Sequence, residues 1–239
     1  MSDDKWASVP DNLHDVTKRA REASLRGKHA HPPRLVAVSK LQPVAALEAA
    51  YSAGHRCFGE NYAHELAEKA AVLPKDVQWH FIGHLQSNKV KALVEGVSNL
   101  AVVETVDSIK LANKLDAAVA ASDRCEPLRV FVQVNTSGEE SKSGVDPAGV
   151  CDLAHHVFTH CANLRFGGLM TIGMPDYTSK PENFDCLNVC RIAVCQALGL
   201  PPEQVELSMG MSGDFEAAAE MGSTNIRVGS TIFGTRQPR

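Results

Sequence analysis

Short runs of Val, Ile, Leu and Phe alternate along the chain with segments whose apolar residues recur at helical spacing. Eight runs have the length and composition of buried strands, namely 34–39, 56–59, 78–82, 100–104, 129–134, 164–170, 205–208 and 225–229. The segments between them repeat apolar positions on one helical face, as Leu111, Leu115 and Val119 do. This alternation predicts a series of βα units.

The number of these units indicates the fold class. Eight βα units joined by right-handed crossovers favour an α/β fold in the form of a closed (β/α)8 barrel, the TIM barrel. An open doubly wound sheet is the alternative. The glycine-rich fingerprint G-x-G-x-x-G and the phosphate loop G-x-x-x-x-G-K-[ST], which are typical of such sheets, do not occur in the chain. We therefore predict the barrel.

An amphipathic segment precedes the first strand. Leu13, Val16 and Ala20 share one helical face, Pro10 stands near the start, and the stretch GKHAHPP breaks the pattern. We predict an N-terminal helix and linker over residues 1–33 and a single barrel domain over residues 34–239. Since only FGTRQPR follows the last unit, we expect the chain to end where the barrel closes.

Composition and charge limit the classes of binding partner that we expect for this protein. The net charge is −4 and the pI is near 6.2, with no basic cluster, so nucleic acid is not an expected partner. No apolar run reaches the ~18 residues of a membrane span, and the start MSDDKW resembles neither a signal nor a transit peptide. We expect no membrane partner and a cytoplasmic location.

The cysteines and histidines give little support for a metal site or a disulfide framework. Seven cysteines form no C-x-x-C pair, which favours reduced thiols. Asp152, His156 and His160 share a helical face. No open coordination site or catalytic base accompanies them, and we assign no metal.

The ends of the predicted strands carry the candidate chemistry, because barrel enzymes and binding proteins place their sites there. Lys40 follows the first strand and Asn61 the second. Ser212, Gly229 and Ser230 lie in the loops after the seventh and eighth strands, where small residues let backbone N–H groups surround a phosphate.

The assignment of a phosphate to these loops has a competing interpretation. Ser212 could be the N-cap of a helix over 213–222, with Asp214 and Glu216 in its first turn. These two acids would also oppose a bound phosphate. We favour the phosphate because small residues occupy both loops.

Closure of the barrel would bring the first strand beside the eighth, so Lys40 would lie across the mouth from the loops that we assign to the phosphate. A lysine with a lowered pKa attacks aldehydes. Taken alone, Lys40 is better explained by extension to the rim or by pairing with Glu60. Arg227 stands two residues before Gly229, on the same face of the last strand. A facing lysine, an arginine and a phosphate site together indicate pyridoxal 5′-phosphate (PLP).

Arg227 would meet the pyridine nitrogen of PLP, and an ion pair in the barrel wall is the alternative. A guanidinium at that nitrogen would discourage its protonation and weaken the cofactor as an electron sink.

Seven ordered motifs resemble one known family. They are LVAVSK, CFGENY, WHFIGHLQSNK, VNTSGEESKSG, GLMTIG, LSMGMSGDFEAA and GSTNIRVGSTIFGTR, spread from Leu35 to Arg236. They are similar to the pyridoxal phosphate homeostasis protein family, the single-domain relatives of alanine racemase. The resemblance implies a PLP-binding barrel of the alanine racemase-like fold type III.

The resemblance also implies roles for the candidate residues. It implies an aldimine between PLP and Lys40, and phosphate contacts from Ser212 and from the backbone of Gly229 and Ser230. The family more often has threonine at position 230. Arg227 would face the pyridine nitrogen. Asn61 would line the pocket near the ring, with a helix N-cap as the alternative for this residue.

The function implied by the resemblance is the holding of PLP in intracellular vitamin B6 homeostasis, without strong turnover. Racemase relatives use two proton-transfer groups, one of which depends on an extra β-domain and dimerisation, and loss of one group removes most of the rate. We therefore expect a monomer that is not an enzyme, with apo PLP-dependent enzymes as candidate acceptors.

Two alternatives stay open at this point, a racemase-like PLP enzyme and a Schiff-base aldolase acting on sugar phosphates. We also hypothesise that Lys142, in the long polar loop after the fifth strand, takes PLP transiently during release.

Overall fold

The computed structural model describes residues 5–139, 143–173 and 181–234. Within them, eight parallel strands form a closed barrel in chain order, and the last strand pairs with the first. The strands are β1 (Arg34–Val38), β2 (Cys57–Glu60), β3 (Gln78–Phe81), β4 (Leu100–Val106), β5 (Leu128–Gln133), β6 (Leu164–Met170), β7 (Glu206–Ser208) and β8 (Asn225–Val228).

Helices connect the strands and surround the barrel. They are α1 (Val9–Arg26), α2 (Val44–Ser52), α3 (Ala63–Val72), α4 (Val90–Gly96), α5 (Ile109–Ala120), α6 (Val150–His160), α7 (Pro181–Leu198), α8 (Phe215–Glu220) and α9 (Ser230–Phe233). Short 3₁₀ turns lie at Pro147–Gly149 and Pro202–Gln204. This architecture confirms the predicted (β/α)8 barrel and all eight predicted strands.

The side chains of the barrel strands separate into two layers. Outward residues such as Phe58, Trp79 and Phe81 are buried between strands and helices in one large apolar cluster. Burial of each such side chain contributes roughly 1.5–3 kcal/mol. A second apolar cluster of Val102, Phe131 and Met170 is separate from it. The hydrophobic driving force therefore comes mainly from the interface between the strands and the helices.

The N-terminal helix α1 packs against the helices that follow the last two strands. Val9, Leu13 and Val16 of α1 are buried in the main apolar cluster. Asn12 Nδ2 donates to the carbonyl oxygen of Ile232 in α9 at 2.9 Å. The helix thus packs against the helices that follow the loops after β7 and β8. The boundary between residues 33 and 34 stays a prediction.

Two further properties concern the chain as a whole. No helix among the described residues combines the length and the apolar character that a membrane span requires. All seven cysteines are free thiols, and Cys57, Cys161, Cys190 and Cys195 are buried.

Candidate functional site

The loops after β7 and β8 meet the end of β1 at the mouth of the barrel. The backbone N–H of Gly229 donates to Ser212 Oγ at 3.2 Å, which joins the loops after β7 and β8. A Cβ atom on Gly229 would lie 3.0 Å from the carbonyl oxygen of Val38, so this loop packs closely against β1. Lys40 is two residues beyond Val38. Ser230, the first residue of α9, is exposed.

Lys40 is half-buried in the turn that follows β1. In β1 itself, the side chains of Val36 and Val38 lie close to Gly59 of β2. A Cβ atom on Gly59 would lie 2.8 Å from Val36 and 3.6 Å from Val38. Lys40 itself lies beyond the end of β1, in a turn, and its position relative to the loops after β7 and β8 stays a prediction.

The cap interpretation of Ser212 is wrong. Helix α8 begins at Phe215 rather than near 213, and its N-cap is Asp214. Asp214 Oδ1 accepts a hydrogen bond from the backbone N–H of Met211 at 2.6 Å, which forms a turn across residues 211–214 before the helix starts. Ser212 lies within this turn and bonds to Gly229 instead.

Asp214 and Glu216, the two acids near these loops, both have hydrogen-bond partners. Burial raises the pKa of Asp214, although its bond from Met211 and the nearby Arg227 act in the opposite direction. Glu216 is paired with Arg19 of α1, whose Nε lies 3.0 Å from Glu216 Oε1. The charge of Glu216 is thus compensated by Arg19 of α1, and Asp214 accepts a hydrogen bond from its own loop.

Asn61 follows β2 and is half-buried. Helix α3 begins at Ala63 with Tyr62 as its N-cap, so the N-cap alternative for Asn61 is wrong. Within the described part of the chain, no donor reaches the buried Asn61 Oδ1. A Cβ atom on Gly83 would lie 2.0 Å from the Asn61 carbonyl oxygen, so the loop after β3 packs directly on this residue. A bound ligand could satisfy the amide oxygen.

Arg227 on β8 is 4% exposed. Its two terminal nitrogens donate to Ser208 Oγ at 2.6 Å and to the Thr171 carbonyl oxygen at 2.7 Å. Burial lowers the pKa of Arg227, while the charges of Glu104 and Asp214 raise it. The guanidinium remains charged at neutral pH. It is held in one orientation by β6 and β7.

A buried polar network inside the barrel supports Arg227. Glu104 is fully buried and accepts hydrogen bonds from Ser208 Oγ and from Asn225 Nδ2, and it contacts His80 Nδ1. Burial raises the pKa of Glu104, but His80, Arg227 and Ser208 outweigh this and lower it. No sequence motif predicted this network. Its signal was the alternation that places these polar residues on inward positions of their strands.

The protonation of His80 should make stability depend on pH. Burial lowers the pKa of His80, but the Cys57 sulfur and the Glu104 carboxylate raise it to about 10, from 6.5. The folded protein therefore keeps a proton that the unfolded chain releases above pH 6.5. This contribution is complete below that pH and is lost as the pH rises towards 10.

We expect the free energy of unfolding to fall by up to about 1.4 kcal/mol per pH unit between about pH 7 and 8.5. Urea unfolding across this range measures the fall. His80→Gln serves as the reference, because it has no titrating group at this position. Equal slopes in the two proteins would contradict the shift.

The mouth also contains a cavity of about 220 Å³ between the ends of β5 and β6. Among its lining residues, Gln133 is 2% exposed and its Oε1 has no donor within the described residues. His84 lies at the rim, with Nδ1 3.2 Å from Ser143 Oγ. Lys142 lies outside the described residues.

A metal site does not emerge from the described residues, since no group of three or more His, Cys, Asp or Glu side chains is arranged to hold an ion. On the helix face noted in the sequence, His156 Nε2 lies 2.7 Å from Asn113 Oδ1. Its ring stacks on that of His160.

Comparisons with known proteins agree with this architecture. Residues 15–237 match the family described as alanine racemase, N-terminal domain. The pyridoxal phosphate homeostasis protein of Bos taurus is 49% identical over 235 residues, which cover 94% of this chain and 86% of the relative.

Two solved structures are also similar to this chain. A protein of Bifidobacterium adolescentis is 36% identical, with a TM-score of 0.86 and coverage of 98% of this chain and 97% of that one. PipY of Synechococcus elongatus PCC7942, solved with PLP bound, is 35% identical, with a TM-score of 0.73 and coverage of 92% and 100%.

Proposed function

Because the chain belongs to the pyridoxal phosphate homeostasis protein family, we propose that it binds PLP at the barrel mouth and acts in vitamin B6 homeostasis rather than as an enzyme. A homologous structure contains PLP, and the curated relatives carry the homeostasis name. The observation in this chain that carries the proposal is the contact between Ser212 and Gly229 beside the end of β1.

The residues at the mouth fit the parts of PLP. The phosphate would lie against the Ser212 hydroxyl and the backbone of Gly229 and Ser230. The aldehyde would face Lys40, whose amine would bond to it covalently with loss of water. This arrangement accounts for a lysine at the end of a buried strand and for small residues in the two neighbouring loops.

Two further side chains would contact the ring. Asn61 offers a buried acceptor that has no donor within the described residues. Arg227, fixed by Ser208 and Thr171, would point its charge at the pyridine nitrogen. In our proposal neither residue acts as an acid or a base. They orient the ring and set the charge beside it.

The positive charge of Arg227 favours a protein that binds PLP over an enzyme that uses PLP for catalysis. When bound, PLP supplies an aldehyde for a lysine amine and a ring that can withdraw electrons from attached atoms. A guanidinium beside the ring nitrogen disfavours the protonated ring, which is the stronger electron acceptor. The proposal also includes a cytoplasmic location, a monomeric state and delivery of PLP to apo-enzymes.

A trapping experiment tests this function. The purified chain is incubated with PLP, reduced with borohydride and digested, and mass spectrometry locates the modified residue. We expect one modified site, at Lys40, with an unreduced sample as the control. Incubation with single enantiomers of amino acids tests the racemase alternative. Inversion at an enzymatic rate, or no modification of Lys40, would contradict the proposal.

A further inference from the structure

The turn that carries Lys40 has a strained backbone. Leu41 has a φ of +62°, in the left-handed region that leucine rarely adopts. Gln42 N–H donates to the carbonyl oxygen of Ser39 at 3.0 Å and closes the turn around Lys40 and Leu41. A leucine remains in this conformation only where surrounding contacts impose it.

These contacts come from two residues on helix α3. The backbone N–H of Leu41 donates to Glu65 Oε1 at 2.6 Å. Lys69 Nζ donates to the Ser39 carbonyl oxygen at 2.8 Å and to Glu65 Oε1 at 2.7 Å. Glu65 and Lys69 therefore bind the backbone on both sides of Lys40. We call these two residues the outer clamp.

Lys69 of the outer clamp is buried and anchored to β2, and Glu65 is partly buried, with 16% of its side chain exposed. Lys69 is 5% exposed, and its Nζ also donates to the fully buried Glu60 at 2.6 Å. Burial raises the pKa of Glu60, while Lys69 and Ser39 act to lower it. A surface pair would leave the backbone free to move, whereas buried charges stay only where each partner is fixed.

We propose that the outer clamp is a positioning device, which holds Leu41 in the left-handed conformation and so aims the Lys40 amine at the PLP aldehyde. This inference rests on the proposed function. Glu65 and Lys69 do not contact the ligand in this proposal. Lys69 Nζ is bonded to three oxygen atoms, Ser39 O, Glu60 Oε1 and Glu65 Oε1, so its role is exerted through the backbone.

The affinities for two ligands distinguish a positioning role of the outer clamp from a merely structural one. PLP and pyridoxine 5′-phosphate share a ring and a phosphate, but the second has an alcohol in place of the aldehyde. A general loosening of the barrel would weaken the binding of both. Loss of aim at Lys40 would weaken the binding of PLP alone, because pyridoxine 5′-phosphate makes no bond with the amine.

Glu65→Ala is the variant of choice. It frees the Leu41 N–H, but Lys69 keeps Glu60 as a partner, so no buried charge is abandoned. We expect PLP to bind about tenfold more weakly, as for loss of a hydrogen bond to a charged group. We expect the affinity for pyridoxine 5′-phosphate to be unchanged and the Leu41 amide of the ligand-free protein to exchange hydrogen faster.

Three further variants complete the test. Glu65→Gln keeps an oxygen for the Leu41 N–H and should bind PLP like the parent. Glu68→Ala, on the same helix, removes an exposed carboxylate that pairs with His64 and should have no effect. Leu41→Gly in the Glu65→Ala background should recover part of the PLP affinity, because glycine adopts the left-handed conformation without strain.

The outcomes distinguish this inference from the proposed function. If the parent protein is not modified at Lys40 by PLP and borohydride, the proposed function fails. If the parent is modified, but Glu65→Ala binds PLP as the parent does, the positioning role is wrong. An equal loss of affinity for both ligands in Glu65→Ala would also overturn it.

Discussion

Lys40→Ala is expected to abolish borohydride trapping of PLP and the visible absorbance of the bound ligand, and to weaken PLP binding by about a hundredfold. The covalent bond to the amine is lost, while the phosphate and ring contacts remain, and a hundredfold corresponds to about 2.7 kcal/mol. Lys40 is half-buried in a turn after β1, so the barrel should still fold. Absorbance titration and calorimetry measure the two effects.

Lys110→Ala is the matched control for this experiment. Lys110 is exposed on α5, and its removal should alter neither the spectrum nor the affinity. Pyridoxine 5′-phosphate should bind Lys40→Ala about as well as it binds the parent. A Lys40→Ala protein that still yields a trapped adduct would mean that another amine forms the bond.

The barrel could be predicted because its periodicity is local. Each strand is a short apolar run and each helix an amphipathic one, and the eight predicted strands agree with the structure to within two residues at either end. Barrel closure then follows from the number of units, and closure brings Gly229 against Val38. The meeting of the end of β1 with the loop after β8 was therefore accessible from the sequence.

The helix caps could not be predicted in the same way. Ser212 and Asn61 both resemble N-caps in sequence, but a cap depends on where the first helical turn begins. The Met211 N–H donates to Asp214 in a turn that precedes α8, so this helix begins only at Phe215. In α3, the N-cap is Tyr62. Ser212 and Asn61 therefore lie outside the N-cap positions, and their contacts with a ligand stay a prediction.

The outer clamp and the buried polar group around Glu104 differ in how far the sequence could predict them. Glu65 and Lys69 have the i, i+4 spacing of a helix pair, which usually lies on the surface and contributes little. The burial of Lys69 and its hydrogen bond to the Ser39 carbonyl depend on how α3 packs against β1. The positive φ of Leu41 could not be predicted from the sequence, because leucine rarely adopts the left-handed conformation.

Strand alternation gave a clearer signal for the inner network, which is the buried polar group of Glu104 and its partners inside the barrel. His80, Glu104, Ser208 and Asn225 all lie on strands that otherwise read as apolar runs. A buried polar residue in such a run needs a partner. The partners come from different strands that are far apart in the sequence, as Glu104 and Asn225 are, so the pairing could not be found before the barrel was assembled.

Glu104→Ala is expected to lower the free energy of unfolding by about 3–5 kcal/mol, the usual cost of removing one partner of a buried charge pair. The substitution leaves the buried charge of Arg227 and a His80 that would have to lose its proton, and it leaves Ser208 and Asn225 short of an acceptor. Glu104→Gln should cost less, because its amide oxygen still accepts a hydrogen bond.

Urea unfolding of Glu104→Ala, Glu104→Gln and the exposed control Glu126→Ala measures this effect. Glu126 lies on the surface before β5, and its loss should leave stability within about 0.5 kcal/mol of the parent. Because Arg227 reaches Glu104 through Ser208, the same Glu104→Ala protein should also bind pyridoxine 5′-phosphate less tightly. If Glu104→Ala and Glu126→Ala unfold at the same urea concentration, the inner network does not stabilise the barrel, and the orientation of Arg227 must have another cause.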